Sequence, residues 1–260
     1  QRNLWKEIER FQTCDIVYCF GEERHPVTAA DCASFLTAQN GLPVQDEKGS
    51  FVLDEEAVAA YVQSLAEEYD GYGRTRQFHS TRGDVITIEG GTYGSKMDRK
   101  KETAYLLEHL LDPSVHTGIP QTHIPIYERE AFCYGKNDIG DTYIEVDMTE
   151  QKMYYYEKGV LKLETEIVTG NMRRRMGTPE GVNFVYNKQK NRVLRGPGYA
   201  SPVKFWMPVK GGIGIHDAGW RKEFGGDIYQ TAGSHGCINT PKDKMEELFD
   251  CVQIGTPVVM

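Results

Sequence analysis

The sequence predicts an α+β N-terminal region followed by a mainly-β C-terminal region, and three observations carry that reading. In the first half, apolar residues recur at helical spacing in three stretches, each opened by a capping residue. After Pro120 the helical period nearly vanishes, and short alternating stretches follow one another with turn residues between them. At 260 residues the chain suits two domains. The division is expected as residues 1–125 and 126–260, with the boundary between Thr122 and Asp138.

In order, Thr28 opens the first helix with Asp31 at capping-box spacing, and Ala29, Cys32, Ala33 and Leu36 form its apolar face. Asp54 caps a second, in which Val58, Tyr61, Val62, Leu65 and Tyr69 recur. Gly71, Gly73 and Gly83 mark turns before an alternating strand at residues 84–89. Asp98 caps a third helix lined by Thr103, Leu106, Leu107, Leu110 and Leu111, and Asp112-Pro113 stops it. Residues 142–148 then alternate, with Ile144, Val146 and Met148 on one face. Residues 152–157 and 160–169 read as a hairpin turning at Glu157-Lys158-Gly159. Short strands are expected at 182–187, 205–209, 212–216 and 256–260. Thr240 is expected to cap one late helix, with Pro241 at its first position and Asp243 completing the box. Met245, Leu248, Phe249 and Val252 are its buried stripe.

A net charge of −8 argues against nucleic acid as a partner, since a basic stripe is missing. The one basic run, Arg173-Arg174-Arg175, reads as a solvated loop. The six cysteines contain no C-x-x-C pair and fit neither a dense disulfide scaffold nor a zinc knuckle. No run of about 18 apolar residues exists to span a membrane. The first residue is Gln rather than Met, so a targeting or anchoring segment can lie upstream of it, and compartment is not read from its absence.

The densest cluster of reactive side chains is Ser234-His235-Gly236-Cys237-Ile238-Asn239-Thr240. A cysteine just before a helix start is expected to have a lowered thiol pKa, because the helix dipole favours thiolate. The N–H groups of Gly236 and Cys237 are candidate donors to an oxyanion. Two histidines compete for the role of base. His235 lies two residues away in the same tight turn, whereas His216 lies 21 residues upstream at a strand end, a position able to hold an imidazole rigidly across from the thiol. A buried structural cysteine and a His/His/Cys metal site are the competing readings, though no fourth ligand stands out. Trp206, Trp220 and Tyr199 are candidate walls or ordinary core aromatics.

His216, its 21-residue interval and Ser234-His235-Gly236-Cys237-Ile238-Asn239 together resemble the signature of the YkuD-type L,D-transpeptidases. Gly177-Thr178-Pro179-Glu180-Gly181-Val182-Asn183-Phe184, Trp220 four residues after the histidine, and Gly255-Thr256-Pro257-Val258 are similar to further family motifs. This resemblance covers residues 139–260. More loosely, Gly90-Gly91-Thr92-Tyr93-Gly94 and residues 97–103 resemble the peptidoglycan-binding domain that precedes such enzymes in Gram-positive bacteria.

The resemblance implies a YkuD-like β-sandwich with one or two helices and a transferase that needs no cofactor and no metal. Cys237 would attack the carbonyl between the third stem residue of peptidoglycan and the terminal D-Ala. A neighbouring stem's amine would then resolve the thioester into a 3→3 cross-link. His216 takes the place of the base, and His235 that of a loop-shaping or oxyanion-supporting residue. Ser234, Gly236, Asn239 and Trp220 lie at substrate or oxyanion positions, and Asp217 is a candidate third member holding the imidazole. The implied partners are donor and acceptor stem peptides, with carbapenem β-lactams as inhibitors. The implied location is the cell envelope outside the cytoplasm, with membrane contact only through an anchor outside this sequence. An L,D-carboxypeptidase and a non-catalytic wall-binding protein are the alternatives. A sortase is disfavoured because its Thr-x-x-Cys strand and following Arg are absent.

Overall fold

The computed structural model describes residues 2–196 and 198–260, and of the side chains of Arg2, Asn3 and Tyr199 nothing is described. The chain opens with α1 (Arg2–Phe11), β1 (Ile16–Phe20), β2 (Glu23–Pro26), α2 (Ala29–Ser34), β3 (Ala38–Gln39), β4 (Leu42–Pro43) and α3 (Glu55–Tyr69). Then come β5 (Arg76–His79), β6 (Val85–Ile88), β7 (Lys96–Met97), α4 (Arg99–Leu110), β8 (Gln121–His123) and β9 (Tyr127–Arg129). The remainder is β10 (Tyr143–Asp147), β11 (Lys152–Glu157), β12 (Val160–Glu166), β13 (Val182–Phe184), β14 (Gln189–Gly196), β15 (Tyr199–Lys210) and β16 (Ile213–Asp217), then α5 (Ile228–Ala232), β17 (Ile238–Thr240), α6 (Lys242–Cys251) and β18 (Pro257–Val259).

These elements form two units, and the division is not the continuous one expected at residue 125. Residues up to Gly71 join Gly94–Asp138 in one unit, and Tyr72–Tyr93 join Ile139–Met260 in the other. The β5–β6 hairpin therefore belongs with the C-terminal strands, and residues 126–138 belong with the N-terminal helices.

In the N-terminal unit, α3 and α4 are capped as their sequences predict. The Asp54 and Asp98 carboxylates accept from the N–H groups of Ala57 and Lys101. The Thr28–Asp31 capping box also forms, but α2 has only six residues. Of its expected apolar face only Cys32 is buried, while Phe35, at the C-cap, is wholly buried. Val58, Val62 and Leu65 of α3 pack with Leu106 and Leu110 of α4 and with Tyr18 and Phe20 of β1 in one core.

The C-terminal unit is a sandwich of two sheets. One has strand order β12-β11-β10-β18-β13, the other β14-β15-β16-β17. Ile144, Met153 and Val258 from the first sheet and Phe205, Met207, Ile215 and Ile238 from the second share one core with Met245, Leu248 and Phe249 of α6. The β11–β12 turn uses left-handed Lys158 (φ 50°) and Gly159 (φ 74°), the two-residue geometry that suits a twisted hairpin. On β10 the predicted alternation fails, because Glu145 and Asp147 are buried as well as Ile144 and Val146. Residues next to β5 cover that face: Thr81 donates its N–H and Oγ1–H to the Glu145 carboxylate, and Arg82 lies 3.1 Å from Asp147.

Candidate active site

The site is built where β16 meets β17. These strands run parallel, with Ile215 opposite Ile238, His216 opposite Asn239 and Asp217 opposite Thr240. The register brings together residues that are 23 apart in sequence and places Cys237 just before the start of β17. His216 and Cys237 line the same cavity of about 200 Å³, with Ser234, His235, Asn239, Trp220 and Arg221 around them. A second cavity of about 450 Å³, walled by Arg192, Arg195, Trp206 and Gly212, also reaches Cys237. Cys237 thus borders two openings.

The imidazole of His216 is 3% exposed. Its Nδ1 lies 2.9 Å from the Asp217 carbonyl oxygen. A carbonyl only accepts, so Nδ1 carries the proton and donates, leaving the lone pair on Nε2. The Asn239 amide nitrogen donates to Nε2 at 3.1 Å. The Trp206 and Trp220 rings lie 5.9 and 5.8 Å from the imidazole. Burial pushes the His216 pKa down against the opposing pull of its Asp217 contact, which favours a neutral base at rest.

Asp217 does not hold the imidazole with its carboxylate. That carboxylate accepts from the backbone N–H groups of Lys204 and Phe205, both at 2.8 Å, and so ties β16 to β15. Adjacent residues on a strand point to opposite faces, so a side chain next to His216 cannot also orient its ring. The main-chain carbonyl of Asp217 does so instead.

The loop carrying Cys237 is shaped by hydroxyl groups. Ser234 Oγ donates to the Cys237 carbonyl at 2.5 Å and accepts from the Gly236 N–H at 3.0 Å. The latter contact engages one of the two donors expected for an oxyanion, so the Cys237 N–H is the better candidate of the pair. Thr178, from the Thr-Pro motif, donates to the Gly236 carbonyl at 2.8 Å and accepts from the Gly170 N–H at 3.0 Å. Gly236 adopts φ +112°, a conformation that L side chains rarely adopt. His235 is exposed on this loop. Trp220 is 52% exposed at the cavity rim, Trp206 is buried, and the side chain of Tyr199 lies outside the described residues.

The helix expected to start at Pro241 starts one residue later, and a strand separates it from the cysteine. β17 intervenes, and α6 starts at Lys242 with Pro241 as its cap and no side-chain capping bond. Thr240 is buried on the strand, with its hydroxyl lacking a hydrogen-bond partner. A helix dipole acts within about one turn, so it does not lower the Cys237 thiol. Burial pushes that thiol up instead, against a smaller lowering by the Gly214 N–H. Arg221, which sequence reasoning missed, donates from Nε to Asn239 Oδ1 at 2.7 Å and from its guanidinium to the Ala232 carbonyl at 2.9 Å. Its one sequence signal is its place five residues after His216. Among the described residues no group of three His, Cys, Asp or Glu side chains is arranged to hold a metal ion.

Residues 141–260 match the family model of the YkuD L,D-transpeptidase catalytic domain, and residues 35–114 match that of a domain described as peptidoglycan binding. No curated protein sequence matches the chain. The crystal structure of a cysteine-to-serine mutant of Enterococcus faecium L,D-transpeptidase is 36% identical, over 99% of this chain and 99% of that one, with a TM-score of 0.84. The Ldtfm–avibactam carbamoyl enzyme is 36% identical, over 99% of this chain and 97% of that one, with a TM-score of 0.83. Identity at that level across nearly the whole of both chains, on a fold with a cysteine and a histidine in one cavity, means that this chain belongs to the L,D-transpeptidases and is a cysteine acyltransferase.

Proposed function

We propose that Cys237 is the acylated nucleophile and His216 its base, in a reaction that joins peptidoglycan stems by 3→3 cross-links. The carrying observation is that Cys237 and His216 line one cavity, and that the lone pair of His216 sits on Nε2 because Nδ1–H is bonded to the Asp217 carbonyl. As the donor stem binds, the Cys237 thiol proton passes to Nε2 and the sulfur attacks the carbonyl carbon preceding the terminal D-Ala. The Cys237 N–H faces the developing oxyanion. The C–N bond then breaks, the His216 proton goes to the departing D-Ala amine, and a thioester remains. An amine from the third residue of a second stem attacks that thioester and loses its proton to His216. The C–S bond breaks, and the proton returns to Cys237.

Starting from a neutral thiol and a neutral imidazole, the proton moves only once substrate is present. A partly buried thiol whose pKa is pushed up is suited to that order, because it holds little thiolate to react with other electrophiles. Two openings at Cys237 suit a reaction in which an acyl donor and an amine must both reach one atom. Ser234 and Gly236 hold the loop, Asn239 steadies the base, and Trp220 shields the imidazole from water at the rim. His235 is a rim residue rather than the base.

The reading places the enzyme in the cell wall, outside the cytoplasm, where stem peptides are, with the N-terminal unit holding it on peptidoglycan. No described helix is long and apolar enough to cross a membrane. Attachment to the membrane would rest on a segment outside these residues, which fractionation of the full-length protein tests. The decisive experiment for the site is intact-protein mass spectrometry after incubation with a carbapenem. A covalent adduct of the whole drug, mapped by peptide digestion to Cys237, is expected. An adduct on another cysteine, or none, overturns the assignment.

A further inference from the structure

We infer that Arg221 is a positioning residue that fixes which nitrogen of His216 can take a proton, acting through the side-chain amide of Asn239. This rests on the reading of His216 as base.

An asparagine amide has an accepting end and a donating end, and by itself can turn either one toward a neighbour. Arginine has no accepting atom, so the Asn239 atom facing Arg221 Nε at 2.7 Å must be the carbonyl oxygen Oδ1. The other end, Nδ2, is then the one at 3.1 Å from His216 Nε2, and it offers a hydrogen there. An Nε2 that accepts that hydrogen is unprotonated in the resting enzyme, and its one lone pair takes the thiol proton only as the Asn239 contact yields. At the far side of the ring, Nδ1–H meets the Asp217 carbonyl at 2.9 Å. The polarity therefore runs in one direction, from guanidinium to amide to imidazole to main-chain carbonyl. With the amide reversed, Oδ1 would face the ring and favour Nε2–H, and the lone pair would be lost from the position that serves catalysis.

Arg221 is itself held in place. Its guanidinium also donates to the Ala232 carbonyl at 2.9 Å, at the end of α5 and two residues before Ser234. It therefore links the histidine strand to the loop that carries the cysteine. His216 and Asn239 are both buried, so the chain is screened little by solvent. The charged and titratable groups facing the imidazole are few. From β16 itself there is Asp217, whose carboxylate is engaged by the Lys204 and Phe205 N–H groups. From the following loop there is Arg221, and from the facing loop Cys237 and His235, which line the same cavity. β15 contributes the uncharged Trp206 ring. The Arg221 cation also disfavours a second proton on the ring, so the base stays free to accept at lower pH.

The test compares wild type, Arg221→Met and Asn239→Asp in full-chain protein, reading the ring ¹⁵N shifts of His216 by NMR and the pH profile of carbapenem acylation. In wild type above the His216 pKa, Nδ1 should be protonated and Nε2 not. In Arg221→Met, Nε2 should move toward the protonated range and the acid limb of the rate profile should shift to higher pH. Acylation should fall about 10- to 100-fold, part of what a general base supplies. In Asn239→Asp a carboxylate faces the ring, so Nε2 should be protonated outright, with a loss on the order of 10²–10⁴-fold. Unchanged ring shifts and an unchanged acid limb in Arg221→Met overturn the inference. If Arg221→Met does not fold, an unprotonated Nε2 in Asn239→Asp overturns it as well. Failure of the underlying reading looks different: His216→Ala would acylate at the wild-type rate, whatever the ring shifts show.

Discussion

β16 and the loop at residues 233–237 each supply one member of the proposed pair, and they are held by opposite means. β16 lies between β15 and β17, with ladder hydrogen bonds on both sides, so its position depends chiefly on backbone and burial, with the Asp217 carboxylate as one added side-chain tie. The loop has backbone pairing only at Ser234, whose N–H donates to the Thr169 carbonyl and whose carbonyl accepts from the Asn171 N–H, both at 2.9 Å. Beyond that residue it is held by Ser234 Oγ, by Thr178 Oγ1 and by a glycine at φ +112°. A strand can present a histidine with almost any neighbours, whereas a loop that presents a cysteine needs specific residues at most of its positions. The motif is dense around the cysteine and sparse around the histidine for that reason.

The strongest attempt to break this comparison is Cys237→Ala. It should abolish cross-linking and carbapenem adducts while leaving the melting temperature nearly unchanged, because the side chain is only partly buried and its loop is tied by other groups. Cross-linking above trace level would end the assignment. Next is the pair His216→Ala and His235→Ala, assayed for acylation rate and melting temperature. The first should lose on the order of 10²–10⁴-fold near neutral pH. The second, exposed at the cavity rim, should lose much less. A reversed order would exchange the roles of strand and loop.

The thiol sharpens the comparison on the loop side. In the free enzyme an iodoacetamide rate profile that follows Cys237 should have its midpoint above the ordinary value of about 8.5, since burial outweighs the Gly214 N–H. A midpoint well below it would mean that a preformed thiolate exists. Thr178→Val then tests whether the loop needs its hydroxyl, which bridges the Gly170 N–H and the Gly236 carbonyl. Loss of stability of about 1–2 kcal/mol in urea denaturation is expected, together with reduced acylation.

The smallest effect concerns the strand side. The folded-state pKa of His216 is lowered, so the unfolded chain binds the proton more readily. The protein should therefore lose stability as pH falls through the unfolded value of about 6.5, and keep it above that. His216→Gln should flatten the slope of stability against pH between about 7 and 5, and an unchanged slope would show that another group carries it.

Much of this was legible in the sequence because it rests on local rules. The caps at Asp54 and Asp98, the Lys158-Gly159 turn and the buried stripe of α6 each depend on residues within one turn of one another. The Ser234–Asn239 motif marked the cysteine loop through its own residue types. What was not legible depends on partners distant in sequence. The polar face of β10 is buried because Thr81 and Arg82 cover it from 64 and 65 positions away, and nothing near Glu145 signals that. Thr240 carries the chemistry of a helix cap, yet a strand pairing with β16 claims it and the cap falls on Pro241, and the expected thiol shift reversed with it. Arg221 gains its meaning from an asparagine 18 residues on and was invisible until β16 and β17 were paired.

The place of β18 in its sheet has a consequence for how the molecule is made. Pro257–Val259 lies between β10 and β13, parallel to the former and antiparallel to the latter, with all three residues buried. A chain emerging from its N-terminus can pair β10, β11 and β12 early, but β13 has no neighbour in that sheet until β18 is made. Before that moment β10 has a bare edge and Glu145 lies on a sheet with a gap beside it. Closure of this sheet of the acyltransferase unit therefore waits for β18, and the interval before it is made is the period in which a partly made chain exposes a strand edge to its neighbours.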